Sequence, residues 1–149
     1  MNRQLRICDL RVRIPASFEA AEKLFAELRC RCAKALQPGD YFTAELLMRE
    51  ALGNAIVHGS QSDPNNSVYC AIRMKVGRLT VSVSDDGPGF DWRGAQAHRA
   101  DSCACSGRGL EIFRQYASRI RFNAKGNAIT LTRNFRELGA PDVLVSREL

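Results

Sequence analysis

Three short segments carry residue types whose spacing can do chemistry. In ELLMREALGNAIVHG, Glu50 and Asn54 stand four residues apart in a helical pattern and therefore share a face. A carboxylate there can accept a proton from an attacking hydroxyl. An amide oxygen is a hard ligand suited to Mg²⁺, which keeps water and phosphate oxygens in its shell. Asn is a mediocre residue for a helix interior, so its presence wants a reason. In VSVSDDGPGFDW, Leu79, Val81, Val83 and Asp85 share strand parity, which puts Asp85 on the apolar face at the strand's end and Asp86 in solvent. A carboxylate on a core face needs a donor. The exocyclic amine of adenine is one, and Gly87 and Gly89 would let the backbone approach a flat base. In SGRGLEI, glycines precede a short helix whose free N–H groups and dipole can hold phosphate, and Arg108 adds a permanent cation. Taken singly, each has a plainer reading: a solvated helix face, an Asp-Gly turn, a glycine-containing loop. Their value lies in coming together in this order.

The elements that must position these residues follow from periodicity. Leu10, Val12 and Ile14 alternate with Arg11 and Arg13, predicting a strand over about residues 4–14 stopped by Pro15. Ser17 is placed to cap a helix in which Phe18, Ala21, Leu24, Phe25, Leu28 and Cys32 recur at helical spacing to about residue 36, where Pro38-Gly39 breaks the run. A second helix is expected over about 43–58, with Asp40 or Thr43 near its start and Gly59 as its C-terminal stop. A hairpin turning at Gly77 follows, then an irregular lid over 91–106 containing Arg93, His98 and Arg99, a short helix after Gly109, and a closing hairpin around Lys125-Gly126-Asn127. This order predicts one α+β domain over residues 1–149, a two-layer sandwich with helices on one face of a mixed, mostly antiparallel sheet.

Composition narrows the partners. The chain has 149 residues and a net charge of +6, which favours anionic partners, nucleotide or acidic protein. The basic residues are spread along the sequence and the 7% aromatic content shows no stacking pattern, so direct nucleic-acid binding is not expected. No apolar run suggests a membrane span or signal peptide, which predicts a cytoplasmic protein. The six cysteines read as reduced thiols: Cys30 and Cys32, two apart in a helix, point in different directions, and Cys103-Ala104-Cys105 offers two ligands where a closed zinc site wants four.

REALGNAIVHG, SDDGPGF and SGRGLEI resemble the N, G1 and G2 boxes of the GHKL ATPases, the superfamily of gyrase, Hsp90, histidine kinases and MutL, over about residues 40–135. Within it they look most like the anti-sigma-factor serine/threonine kinases of sporulation and stress signalling. The resemblance implies a Bergerat, histidine-kinase-like ATPase fold using ATP and Mg²⁺. It implies Glu50 as catalytic base, Asn54 as Mg²⁺ ligand, Asp85 as adenine reader in a pocket shaped by Gly87 and Gly89, and Gly107, Arg108, Gly109 and Leu110 around the phosphates. It further implies an anti-anti-sigma (STAS) protein as substrate, a sigma factor as second partner and a homodimer. The chain departs from the family in following Gly126 with Asn127, where a Gly-Thr pair is common. His58, four residues after Asn54, is within reach of the phosphates by spacing but reads first as a capped helix-end histidine. The rival reading is a nucleotide-gated partner-binding module without kinase activity, or the detached ATP-binding domain of a two-component-type kinase.

Overall fold

The computed structural model describes residues 6–89, 91 and 105–135, with 105–108 described as backbone alone. Alternating apolar and polar residues form β1 (Arg6–Pro15), the hairpin of β2 (Ser67–Lys75) and β3 (Arg78–Asp85), and the closing hairpin of β4 (Arg119–Phe122) and β5 (Ala128–Asn134). Both hairpins turn through glycines at positive φ, Gly77 at 79° and Gly126 at 80°, where a side chain would be strained. The sheet order is β1-β2-β3-β5-β4. All four pairings are antiparallel. Because β3 and β4 are each antiparallel to β5, they run in the same direction, joined through the helix α3 (Cys105–Tyr116) with β5 inserted between them. Pro15 is accommodated because it ends an edge strand.

Helix α1 (Phe18–Cys32) starts where Ser17 caps it, the hydroxyl accepting from the Ala20 N–H at 3.2 Å. A single 3-10 turn, Ala33–Ala35, follows. Helix α2 spans Pro38–Asn54 and so begins earlier than expected. Pro38 occupies its first turn, where the missing N–H is harmless and the fixed φ suits the helix. Asp40 and Thr43 therefore lie inside the helix, and the Thr43 hydroxyl donates to the Gly39 carbonyl at 3.0 Å. The expected run to residue 58 also differs, since a π turn, Ala55–Gly59, takes over after Asn54. Such turns widen the helix locally and recur at functional sites.

The buried stripe of α2, including Leu47, Met48, Ala51 and Leu52, packs with Leu24, Phe25 and Leu28 of α1 over the sheet's inner face of Val68, Ile72, Val81 and Leu131. Each of these side chains larger than Ala51 contributes about 1.5–3 kcal/mol through burial. This stripe fixes the rotation of α2, leaving Glu50 and Asn54 half-buried on the flank that meets α3, where Gly109 lies against both side chains. Cys8, Cys30, Cys32 and Cys70 are free thiols. Burial pushes those of Cys32 and Cys70 up to about 12, so both are core side chains with little thiolate at neutral pH. Cys103 and the lid residues Arg93, His98 and Arg99 lie outside the described residues. No helix among the described residues is long and apolar enough to cross a membrane.

Candidate functional site

A cavity of about 310 Å³ opens between α2, the π turn, α3 and the ends of β3 and β5. Its walls are mostly apolar, with Val83, Leu110, Phe113, Phe122 and Ile129, and the polar groups turned into it belong to Asn54, His58, Asp85 and Asn127. An apolar cleft of this volume with a few convergent polar groups is the usual form of a small-molecule site.

Asp85 sits at its floor. Strand parity places it on the core face, where it is 8% exposed. Desolvation by burial pushes its carboxyl above the usual carboxylate range, helped by the neighbouring Asp86 and opposed by the Gly87 N–H, which donates to Oδ1 at 2.7 Å, and by Lys125. Two glycines make room for it. A Cβ on Gly59 would lie 2.1 Å from the Asp85 carboxylate, and one on Gly87 would lie 2.1 Å from the Gly59 carbonyl oxygen. The π turn, the Asp85 carboxylate and the chain after β3 thus meet with no space for a side chain. Gly89, at φ +77°, passes so near the Lys125 carbonyl that a Cβ would fall 1.9 Å away.

Asn127 completes the floor. Its backbone carbonyl accepts from the Asp85 N–H at 3.0 Å and its side-chain Nδ2 donates to the Asp85 carbonyl at 2.7 Å. Asn123 in turn donates to the Asn127 side-chain oxygen at 2.6 Å and accepts from the N–H groups of Gly126 and Ala128. Asn127 therefore clamps the backbone of Asp85 at both its N–H and its carbonyl.

On the opposite wall α3 presses on α2. A Cβ on Gly109 would lie 3.0 Å from the Asn54 side-chain nitrogen and 3.5 Å from Oε2 of Glu50. Gly107 and Gly109 were expected ahead of this helix and instead lie within it. Gly107 stays in the first turn, whose N–H groups lack intrahelical partners, while Gly109 permits the close approach to Asn54. Asn54, Asp85, Gly89 and Leu110 line one cavity. Glu50 stands one helical turn before Asn54, and Gly87 supports Asp85 from the side. The side chain of Arg108 lies outside the described residues.

Gly59 and the aromatic wall of Phe113 and Phe122 were not anticipated as site residues, and Asn127 entered only as a departure from a common Gly-Thr pair. Gly59 reads in sequence as a helix stop, and only its contact with a residue 26 positions later reveals its role. Gly59→Ala is expected to force the Asp85 carboxylate out of place, lowering stability by about 1–3 kcal/mol, the usual effect of overpacking. Thermal unfolding checks this. A Tm equal to the parent's would mean that the π turn shifts to absorb the methyl group.

Comparison with known proteins agrees with this architecture. A family model described as "Histidine kinase-like ATPase domain" matches residues 14–133. The chain is 40% identical over 44 residues to the anti-sigma F factor of Shouchella clausii (strain KSM-K16) and 36% identical over 44 residues to that of Geobacillus sp. (strain WCH70). Each alignment covers 30% of this chain and 30% of the curated relative's own length.

Proposed function

The chain belongs to the histidine kinase-like ATPase domain family, and from that premise we propose that it is an anti-sigma regulator that transfers the γ-phosphoryl group of Mg-ATP to a serine or threonine of an anti-anti-sigma (STAS) protein, controlling release of a sigma factor. The observation that supports this reading best is the convergence on one cavity of Asp85 and Asn54, with Glu50 one helical turn before Asn54 and beside it at Gly109. Asp85 and Asn54 both line this cavity, and in this reading the first takes the nucleotide's base and the second its phosphates.

In this reading adenine lies between the apolar walls with its amino group donating to Asp85. Asn127 holds the Asp85 backbone, and Gly87 and Gly89 admit the flat ring. Asn54 and the first turn of α3 face the phosphates, with Arg108 placed by sequence at the same turn. Mg²⁺, when bound, neutralises phosphate charge, and Asn54 would hold it together with phosphate oxygens and water. Glu50 takes the proton from the partner's hydroxyl as that oxygen attacks the γ-phosphorus, the bond to the β–γ bridging oxygen breaks and ADP leaves. The sigma factor is the second partner, and the protein acts as a cytoplasmic homodimer. The relatives' name, anti-sigma F factor, supports the anti-sigma part of this assignment.

Asn54→Ala is expected to remove most of the Mg²⁺ dependence of ATP binding, because the triphosphate keeps its charge but the ion loses the amide oxygen proposed as its protein ligand. Calorimetric titration of ATP with and without Mg²⁺ into both proteins measures this. Equal Mg²⁺ dependence in parent and variant would remove Asn54 from the metal site. The reading as a whole is tested by incubating the protein with γ-labelled ATP and candidate STAS proteins. Label in an acid-stable phosphoserine or phosphothreonine supports it. Acid-labile phosphohistidine, or no transfer to any candidate, would favour the detached kinase domain or the binding module.

A further inference from the structure

The arginines that look scattered in sequence are gathered by the fold onto one surface. In β1, β2, β3 and β5 the buried residues share one parity and face the helices, and in β4 Ile120 and Phe122 pack on the same core, so the other parity forms the open face of the sheet. Register aligns this face in rows. One row runs from Arg11 on β1 through Ala71, Ser82 and Thr130 to Arg121 on β4. The next runs from Asp9 through Arg73, Thr80 and Thr132 to Arg119. Arg13 and Arg78 lie in the flanking rows, on β1 and β3.

All six of these arginines are exposed. Against them stand Asp9, shared by Arg6 at 3.4 Å and Arg73 at 3.6 Å, and Asp86 at the face's edge, which accepts from the Tyr69 hydroxyl at 3.5 Å. Between the arginine rims the floor is small and hydroxylated, with Ser82 and Thr130 hydrogen-bonded to each other at 2.9 Å. At about 4.8 Å per strand spacing, Arg11 and Arg121 stand about 19 Å apart, wide enough for a helix about 10–12 Å across or an extended chain. Among the described residues, nothing packs on this face.

We infer that the open sheet face is a docking surface for an acidic polypeptide segment of a partner protein, separate from the nucleotide cavity on the helical side. Charge complementarity selects the occupant. The face is strongly cationic, with six exposed arginines against the carboxylates of Asp9 and Asp86. A second copy of the same face would be repelled. Single-stranded nucleic acid would require aromatic platforms for successive bases, whereas this face presents Tyr69, already covered by the Arg13 guanidinium at 5.7 Å.

The test uses the full chain, a fluorescein-labelled poly-glutamate peptide and an oligothymidylate of matched charge, each titrated at low salt by fluorescence anisotropy. The parent binds poly-glutamate more tightly than the oligothymidylate, and added salt weakens the binding. The double variant Arg11→Glu/Arg121→Glu weakens it by about tenfold or more, since like charges now face the peptide. Lys23→Glu/Arg31→Glu on α1 changes net charge equally and leaves affinity within about twofold of the parent's, because those side chains lie away from the docking face. The neutral triple variant Arg11→Ser/Arg73→Ser/Arg121→Ser repeats the loss if the reversed pair fails to fold, folding being checked by circular dichroism. No poly-glutamate binding by the parent, tighter binding of oligothymidylate, or equal losses in the α1 variant would each overturn the proposal.

Discussion

Glu50→Gln is expected to slow phosphotransfer by roughly 10²–10⁴-fold while ATP affinity stays close to the parent's. Glutamine keeps the shape and most of the polarity of glutamate but cannot take a hydroxyl proton at neutral pH. Glu50 is not among the residues lining the cavity, whereas Asn54, one turn later, is. Binding and chemistry should therefore separate at this residue. Its side chain lies 3.5 Å from the place a Gly109 Cβ would occupy, so glutamine fits the same space without moving α3. ATP affinity and single-turnover transfer to the partner are to be measured on one preparation. Transfer at the parental rate would exclude Glu50 as the base, and a parallel fall in ATP affinity would assign it to nucleotide positioning.

Asp85→Asn is expected to act in opposite directions on the empty and the liganded protein. In the proposed complex the carboxylate accepts from adenine, and an amide can present a donor there instead. A mispaired buried group costs about 1–3 kcal/mol, or roughly 5- to 150-fold in ATP affinity. GTP should bind the parent poorly, because its carbonyl would meet the Asp85 carboxylate acceptor to acceptor.

In the empty protein the sign reverses. Burial raises the folded-state carboxyl above its ordinary value of 3.8, so the folded state holds the proton more tightly than the unfolded chain. The stability this contributes is complete below pH 3.8 and is lost as pH rises through the raised value. At neutral pH the ionised, buried Asp85 is a burden that asparagine lacks. The empty variant should melt above the parent at neutral pH, and the difference should shrink as pH is lowered toward the ordinary carboxyl value. A variant that melts below the parent at neutral pH would show that the carboxylate's hydrogen bond from Gly87 outweighs its burial. Equal ATP and GTP affinity in the parent would remove Asp85 from base recognition.

Much of this arrangement is legible in the sequence because strand parity is a strict two-residue code. The alternation of Leu79, Val81 and Val83 puts Asp85 on the core face, and the structure finds it there, 8% exposed. The hairpins at Gly77 and Gly126 are equally plain, since both glycines take positive φ. Helix ends are less so. Pro38-Gly39 reads as a break because proline interrupts helices, yet proline at the first turn begins one, and the local sequence fits both.

What sequence could not display is contact between distant segments. Gly59 stops a helix in the local reading and shelters Asp85 in the folded one. Asn127 looks like a lost hydroxyl and proves to be a clamp on the Asp85 backbone. The arginines of β1, β2 and β4 are far apart along the chain, and only the register of the sheet makes them neighbours.

The central claim, that the cavity floored by Asp85 is the nucleotide site, is tested most directly by backbone amide shift mapping of the ¹⁵N-labelled full chain titrated with Mg-ATP. The account predicts the largest changes at Gly59, Asp85, Gly87, Gly126 and Asn127, saturating together. Changes confined to the open sheet face around Arg11, Arg73 and Arg121 would show that the triphosphate binds there as a simple polyanion, and would contradict it.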